Sequence, residues 1–310
     1  MLSNFVKNYV KKILPLIVFL CNPLIQGAIA SSECGKDYVA LVYNANNGNI
    51  IFEKDADKIT YPASLVKLMT LYLTFEALDK KELSLSQNLK VSSHGAEIAR
   101  VNNGNSLHLK KGQKITVEQA IRAVVVKSFN EAAVTLSESI SGNEWSFVRL
   151  MNRTAKDLGM RNTNFRNASG LHQEDQYTTA LDLARLAYAI RTKFPHYYPV
   201  FASKSFNYNK KRYYSHNHVL LDYKGAEGMK TGFTNASGFN LIASAKRGDK
   251  QIFSILMGCE SPKKRDNLTK NLLDMAFNKL NKDIPVKVAS RFKLQEQKKF
   301  DEQLGVNTDS

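Results

Sequence analysis

The sequence predicts a mixed α/β chain of the α+β type, with an antiparallel sheet assembled from both chain ends, helices flanking it, and a helical lobe inserted between. Three observations carry that expectation. Strand-like runs lie near both ends of the chain, a helix apolar on all sides follows the first of them, and a succession of helical stretches fills the region from about 84 to 205.

In chain order, Tyr38 to Tyr43 and Asn49 to Phe52 read as two strands joined by the turn-rich Asn44-Ala45-Asn46-Asn47-Gly48, a hairpin. Pro62 then precedes a helix from Ala63 to Leu78, whose apolar residues Leu65, Leu68, Met69, Leu71, Tyr72 and Phe75 encircle the axis, so the helix is expected to be buried. Helical patterns follow at Val117 to Val126, Glu131 to Ile140, Glu144 to Leu158 and Ala180 to Lys193. Phe239 to Ala245 and Gln251 to Met257 are strand-like and separated by the turn Arg247-Gly248-Asp249, and a helix is expected from about Lys263 to Leu280. The α/β part thus falls at about 35–83 and 222–283, within a domain of 31–285. The basic tail of 286–310 is expected to be poorly ordered.

The first thirty residues carry Lys7, Lys11 and Lys12, then an apolar run from Ile13 to Ile25, then small residues ending at Ala30. That is the layout of a secretory signal peptide cleaved near Ala30. About 280 residues remain, enough for one large domain. The formal net charge is +16, of which the leader's lysines supply three, so the rest is strongly basic. In an exported chain this points away from nucleic acid and towards weak contact with anionic membrane or wall polymers. Cys34 and Cys259 survive cleavage into an oxidising compartment. Neither has a metal-ligand spacing or a neighbouring histidine, and no cofactor pattern occurs, so structural thiols or one disulfide are expected.

Three short motifs bear chemistry: Ser64-Leu65-Val66-Lys67, Ser128-Phe129-Asn130 and Lys230-Thr231-Gly232. The first two patterns recur, S-x-x-K at Ser261 and Ser290, S-x-N at Ser141, Ser205 and Ser215, so context must choose among them. Ser64 heads the buried helix, which puts Lys67 one turn on, on the same face. A serine hydroxyl needs a neighbour to take its proton, and a buried lysine near a second cation can be neutral enough to do so. Lys230 could supply that second charge. Ser128 follows Val124-Val125-Val126 and opens the next helix, whereas Ser141-Gly142-Asn143 sits where a helix stop is expected. Ser205 and Ser215 read as hydrogen-bonded turn residues. Lys230-Thr231-Gly232 is unique in the chain, and at a sheet edge its cation, hydroxyl and backbone N–H groups could hold a peptide ending in a carboxylate.

Taken together, these motifs mark penicillin-binding proteins and class A β-lactamases. With Pro62-Ala63 before Ser64, Asn167-Ala168-Ser169-Gly170-Leu171, and Gly228-Met229 before Lys230, the chain from about 35 to 283 resembles the serine D-alanyl-D-alanine carboxypeptidases, the low-molecular-mass penicillin-binding proteins. The resemblance implies a β-lactamase/transpeptidase-like fold and cleavage of the terminal D-alanine from peptidoglycan stem peptides through an acyl-enzyme on Ser64. Lys67 would be the base and Ser128 a proton relay, and Asn130 would bond the substrate backbone. Ser64 and Phe233 would offer oxyanion-binding N–H groups, while Lys230, Thr231 and Arg265, with Gly232 allowing close approach, would hold the terminal carboxylate. β-Lactams would acylate Ser64. In such a fold the first and last strands are antiparallel neighbours, which would bring Cys34 near Cys259.

The chain departs from the family pattern at Phe129, where glycine is common, at Phe233, where histidine is frequent, and in a short C-terminal remainder that makes a stalk and membrane anchor unexpected. Two other serine activities compete: a DD-endopeptidase cutting cross-links, which sequence barely separates, and a β-lactamase, disfavoured because E-x-x-L-N is absent between the second and third motifs. A catalytically idle wall-binding or β-lactam-sensing module would not need the intact motif set.

Overall fold

The protein is described by a computed structural model covering residues 34–101 and 106–282; the predicted leader and tail lie outside the described residues. Strands β1 (Val39–Asn44) and β2 (Ile50–Lys54) form the expected hairpin. A 3-10 turn (Ala63–Val66) leads directly into α1 (Lys67–Asp79), so the predicted single helix has a tightened first turn. Then come β3 (Asn88–Lys90), α2 (Ser93–Val101), β4 (Lys114–Thr116), α3 (Val117–Lys127), α4 (Asn130–Ser141), α5 (Glu144–Asp157) and α6 (Ala180–Lys193). A hairpin of β5 (Ser205–Tyr208) and β6 (Lys211–Tyr214), a short α7 (His218–Asp222), β7 (Ala226–Thr234), β8 (Gly238–Arg247), β9 (Lys250–Cys259) and α8 (Pro262–Asn281) follow among the described residues.

The five-stranded sheet has the order β2-β1-β9-β8-β7, antiparallel throughout. Its central strands are buried on both faces, which is why they read as continuous apolar runs. From β1, Val39, Leu41 and Tyr43 face the core shared with α1 and α6, while Ala40 and Val42 face a second core closed by Leu268, Leu272 and Phe277 of α8. Because β1 lies beside β9, the two ends of the chain meet, and a disulfide joins Cys34 to Cys259 with their Cα atoms 4.8 Å apart.

Several elements escaped the sequence pattern, the short α7 among them. Helix α2 and the β3–β4 pair are too short to show a period. The β5–β6 hairpin places Ser205 in a strand rather than a turn, and its Phe206 and Tyr208 pack inward. Strand β7, which carries Lys230-Thr231-Gly232 along the sheet edge, has glycines and polar residues where a strand normally shows apolar ones.

Candidate active site

The head of α1 is built by its neighbours. Gly232 of β7 lies so close to the 3-10 turn that a Cβ there would stand 3.2 Å from the Ser64 amide nitrogen. Gly170 approaches from the other side with φ +79°, and a Cβ there would fall 2.0 Å from the Ala63 carbonyl oxygen. Ala63 itself has φ +48°, a left-handed conformation that costs energy in a non-glycine residue and is found where packing enforces it. Asn240 of β8, fully buried, donates to the carbonyls of Tyr61 (3.1 Å) and Pro62 (3.3 Å), tying the segment before Ser64 to the sheet.

Lys67 has no exposed surface. Its Nζ donates to Ser64 Oγ at 2.9 Å, to Asn130 Oδ1 at 2.7 Å and to the Ser169 carbonyl. An ammonium has three protons for these three acceptors; a neutral amine has two and a lone pair. Asn130 Oδ1 and Ser169 O can only accept, so neutral Lys67 turns its lone pair to the Ser64 hydroxyl, the one partner with a proton to give. Burial holds Lys67 well below the usual lysine range, Lys230 lowers it further, and Glu131 opposes both. Lys230, also buried, is lowered to about 7, first by burial and then by Arg265; its Nζ donates to the Thr231 carbonyl at 2.8 Å.

Ser128 ends α3 in the left-handed conformation, φ +61°, and faces the cleft; among the described residues its buried Oγ has no hydrogen-bond partner. An unsatisfied hydroxyl at such a place is what a substrate atom would complete. Asn130 is the first residue of α4, so one two-helix turn presents both side chains. The Phe129 ring points away and packs edge-on against Phe206 and Tyr213 of the β5–β6 hairpin, filling the space behind the cleft instead of reshaping it. Phe233 is half exposed and stacks on Phe239, centroids 4.2 Å apart, as an aromatic lip.

Ser64, Ser128, His216, Thr231, Phe233 and Arg265 line one cleft of about 390 Å³. Arg265 is buried there, but two of its nitrogens bond Asp266 Oδ1 at 2.7 and 2.9 Å, so much of its charge is already matched. The rival motifs have other duties. Ser261 caps α8 by accepting from Lys264 N, Asn143 caps α5, Gly142 ends α4 with φ +79°, and Ser215 accepts from Asn217 N. Ser290 lies outside the described residues.

Four residues of the site were given no role by the sequence. His216 bonds Thr231 Oγ1 at 2.7 Å and is lowered to about 3 by burial, Lys230 and other nearby cations, so it is neutral near pH 7. Ser169 contributes through its carbonyl, held by an Asn167 side chain that accepts from Gly170 N at 2.6 Å. Glu131, fully buried, accepts from Ser106 Oγ (2.7 Å) and Leu107 N (2.5 Å) through one oxygen, and its other oxygen has no partner among the described residues. Asn240 is the fourth. Glu131 follows the Ser128-Phe129-Asn130 motif and Ser169 lies within Asn167-Ala168-Ser169-Gly170-Leu171, but single-sequence spacing assigns neither a role.

The S11 peptidase family model, described as D-alanyl-D-alanine carboxypeptidase, matches residues 31–261. The chain is 34% identical over 245 residues to the D-alanyl-D-alanine carboxypeptidase DacF of Bacillus subtilis, covering 77% of this chain and 61% of that protein, so it spans less than two thirds of the relative. Penicillin-binding protein 5 of Haemophilus influenzae superposes with a TM-score of 0.74 at 32% identity, over 77% of this chain and 70% of that one. Penicillin-binding protein D2 of Listeria monocytogenes, solved in an ampicillin-bound form, superposes with 0.67 at 31% identity, over 77% and 96%.

Proposed function

The chain belongs to the D-alanyl-D-alanine carboxypeptidase family, and from that premise we propose that it is a serine-type carboxypeptidase releasing the terminal D-alanine of peptidoglycan stem peptides. The observation that carries this reading is the Lys67 triad of partners, in which only Ser64 can give a proton to a neutral amine. Ser64 Oγ attacks the carbonyl between the two D-alanines while Lys67 takes its proton. The oxyanion is held by the N–H groups of Ser64 and Phe233. The leaving amine receives its proton through Ser128, whose unpartnered hydroxyl suits a relay. Asn130 bonds the substrate backbone, and Lys230 with Thr231 binds the terminal carboxylate, with Arg265 behind them. Gly232 lets the edge strand approach the serine. Water then releases the acyl group; β-lactams, which present a strained amide and a carboxylate to the same groups, form their own acyl ester on the same Ser64 oxygen, with the ring-opened amine still attached, and leave slowly.

This reading carries an exported enzyme of the cell envelope, with residues 1–30 as signal peptide, 31–285 as the peptidase domain and 84–205 as its helical lobe. Purified protein is expected to gain the mass of one penicillin on Ser64 and to release D-alanine from a soluble pentapeptide, both lost in Ser64→Ala. Labelling that persists in the variant refutes the nucleophile. Product masses from cross-linked muropeptides that show cleavage of the cross-link, with the free pentapeptide untouched, assign the endopeptidase activity instead.

A further inference from the structure

A second groove, of about 560 Å³, lies outside the catalytic cleft, where α2, the end of α4, the first half of α5 and Arg166 meet. Its wall carries Trp145, the chain's single tryptophan, 68% exposed although the residue type usually buries most of its surface. The Arg149 guanidinium rests 4.9 Å from the indole centroid, which orients the ring and leaves most of it open. Arg166, which is exposed, and Glu138 line the same groove. Glu144 floors it with both oxygens engaged, one on His94 Nε2 at 2.6 Å and the other accepting from Ala168 N at 2.8 Å.

We propose that this groove is a subsite for the sugar portion of the substrate strand, with a pyranose ring on Trp145, its hydroxyl and acetamido groups on Glu138 and Arg149, and a stem carboxylate on Arg166. The proposal rests on the carboxypeptidase reading above. The apolar C–H face of a pyranose suits an indole, which is large, rigid and amphipathic. Two guanidiniums with one unpaired carboxylate suit a ligand carrying both neutral donors and an acid, and suit a polyphosphate less well. Reach agrees. Ala168 N bonds Glu144, the next residue's carbonyl bonds Lys67, and Lys67 bonds Ser64, which bounds the straight-line distance from Glu144 to Ser64 Oγ at about 15 Å. The four stem residues between sugar and scissile carbonyl span up to about 14 Å when extended.

Since Trp145 is the only tryptophan, its emission reports the groove directly. In Ser64→Ala protein, which does not consume the ligand, a disaccharide pentapeptide is expected to change that emission saturably, and the sugar-free pentapeptide to need at least about tenfold more. In protein with Ser64 intact, Trp145→Ala and Arg149→Ala are expected to lower kcat/KM for the disaccharide pentapeptide about five- to tenfold and to leave that for the sugar-free pentapeptide unchanged. An emission that does not move, or an equal loss on both substrates, overturns the subsite; the latter would mean that the substitutions act through Ala168 and Lys67. A response to poly(glycerol phosphate) that exceeds the response to the disaccharide pentapeptide overturns it as well. Protein that releases no D-alanine from either pentapeptide refutes the carboxypeptidase reading, and the emission titration still decides the groove.

Discussion

Lys67 lies between opposing charges, Lys230 lowering its affinity for a proton and Glu131 raising it. Neutralising each should move the acylation rate in opposite directions. Glu131→Gln removes the negative charge, so Lys67 deprotonates more easily and the acid limb of penicillin acylation shifts to lower pH. Lys230→Met removes a cation and shifts that limb to higher pH, while weakening carboxylate binding. Stopped-flow acylation across pH checks both; shifts of the same sign would contradict this electrostatic account. Lys230 also bears on stability. Its folded value of about 7 lies below the ordinary 10.5, so the unfolded chain binds the extra proton between those limits and wild-type stability rises with pH across that window. Lys230→Met is therefore expected to be the more heat-stable protein at pH 6, with an advantage that fades towards pH 10, in a melting series. At this scale Ser64, Lys67 and Lys230 were legible because three residues of helix and one unique tripeptide bring their chemistry within short sequence windows. Glu131, Ser169 and His216 were not, because their roles depend on distances across the chain that no spacing records.

Two elements hold the cleft's shape from outside it. The Asn167–Leu171 loop is pressed against the Ala63–Ser64 backbone, and Gly170→Ala would put a methyl group into the Ala63 carbonyl. Acylation should fall by about a hundredfold or more, since a 1 Å displacement of reacting groups has that scale of effect, while far-ultraviolet circular dichroism stays that of the wild type. Phe129 joins the Ser128–Asn130 turn to the β5–β6 hairpin through its ring, which meets Phe206 and Tyr213. Phe129→Ala is expected to cost about 3–5 kcal/mol, read by urea denaturation, and to speed hydrogen exchange at 205–214. The hairpin itself was hidden in a Lys- and Tyr-rich stretch, because its inward face of Phe206, Tyr208 and Tyr213 packs on residues far earlier in the chain, Phe129 among them, about eighty residues away.

Across the whole molecule, the sheet is a joint between chain ends. Strand β1 pairs with β2 on one side and β9 on the other, and the Cys34–Cys259 bridge closes a loop with a sequence separation of 225. Cys34→Ser with Cys259→Ser should lower unfolding free energy by about 2–5 kcal/mol, measured by denaturant titration under oxidising conditions. Penicillin acylation of the folded double variant should be unchanged, because neither cysteine lines the cleft. Among the described residues no helix is long and apolar enough to cross a membrane.

The sequence by itself determined the elements whose signal is local: strands with unbroken apolar runs, a helix apolar on every side, and a serine and lysine one helical turn apart. It also singled out Ser64 as the candidate nucleophile among three S-x-x-K matches, because only Ser64 heads a helix that must be buried. Tertiary structure alone decided what depends on close approach between distant segments. It put the Ser169 carbonyl and Asn130 on one lysine, turned Phe129 away from the cleft, made a strand of the glycine-bearing edge, and set His216 on Thr231. Local periodicity reports which face of a segment is dry, whereas a site's electrostatics depend on which dry faces meet.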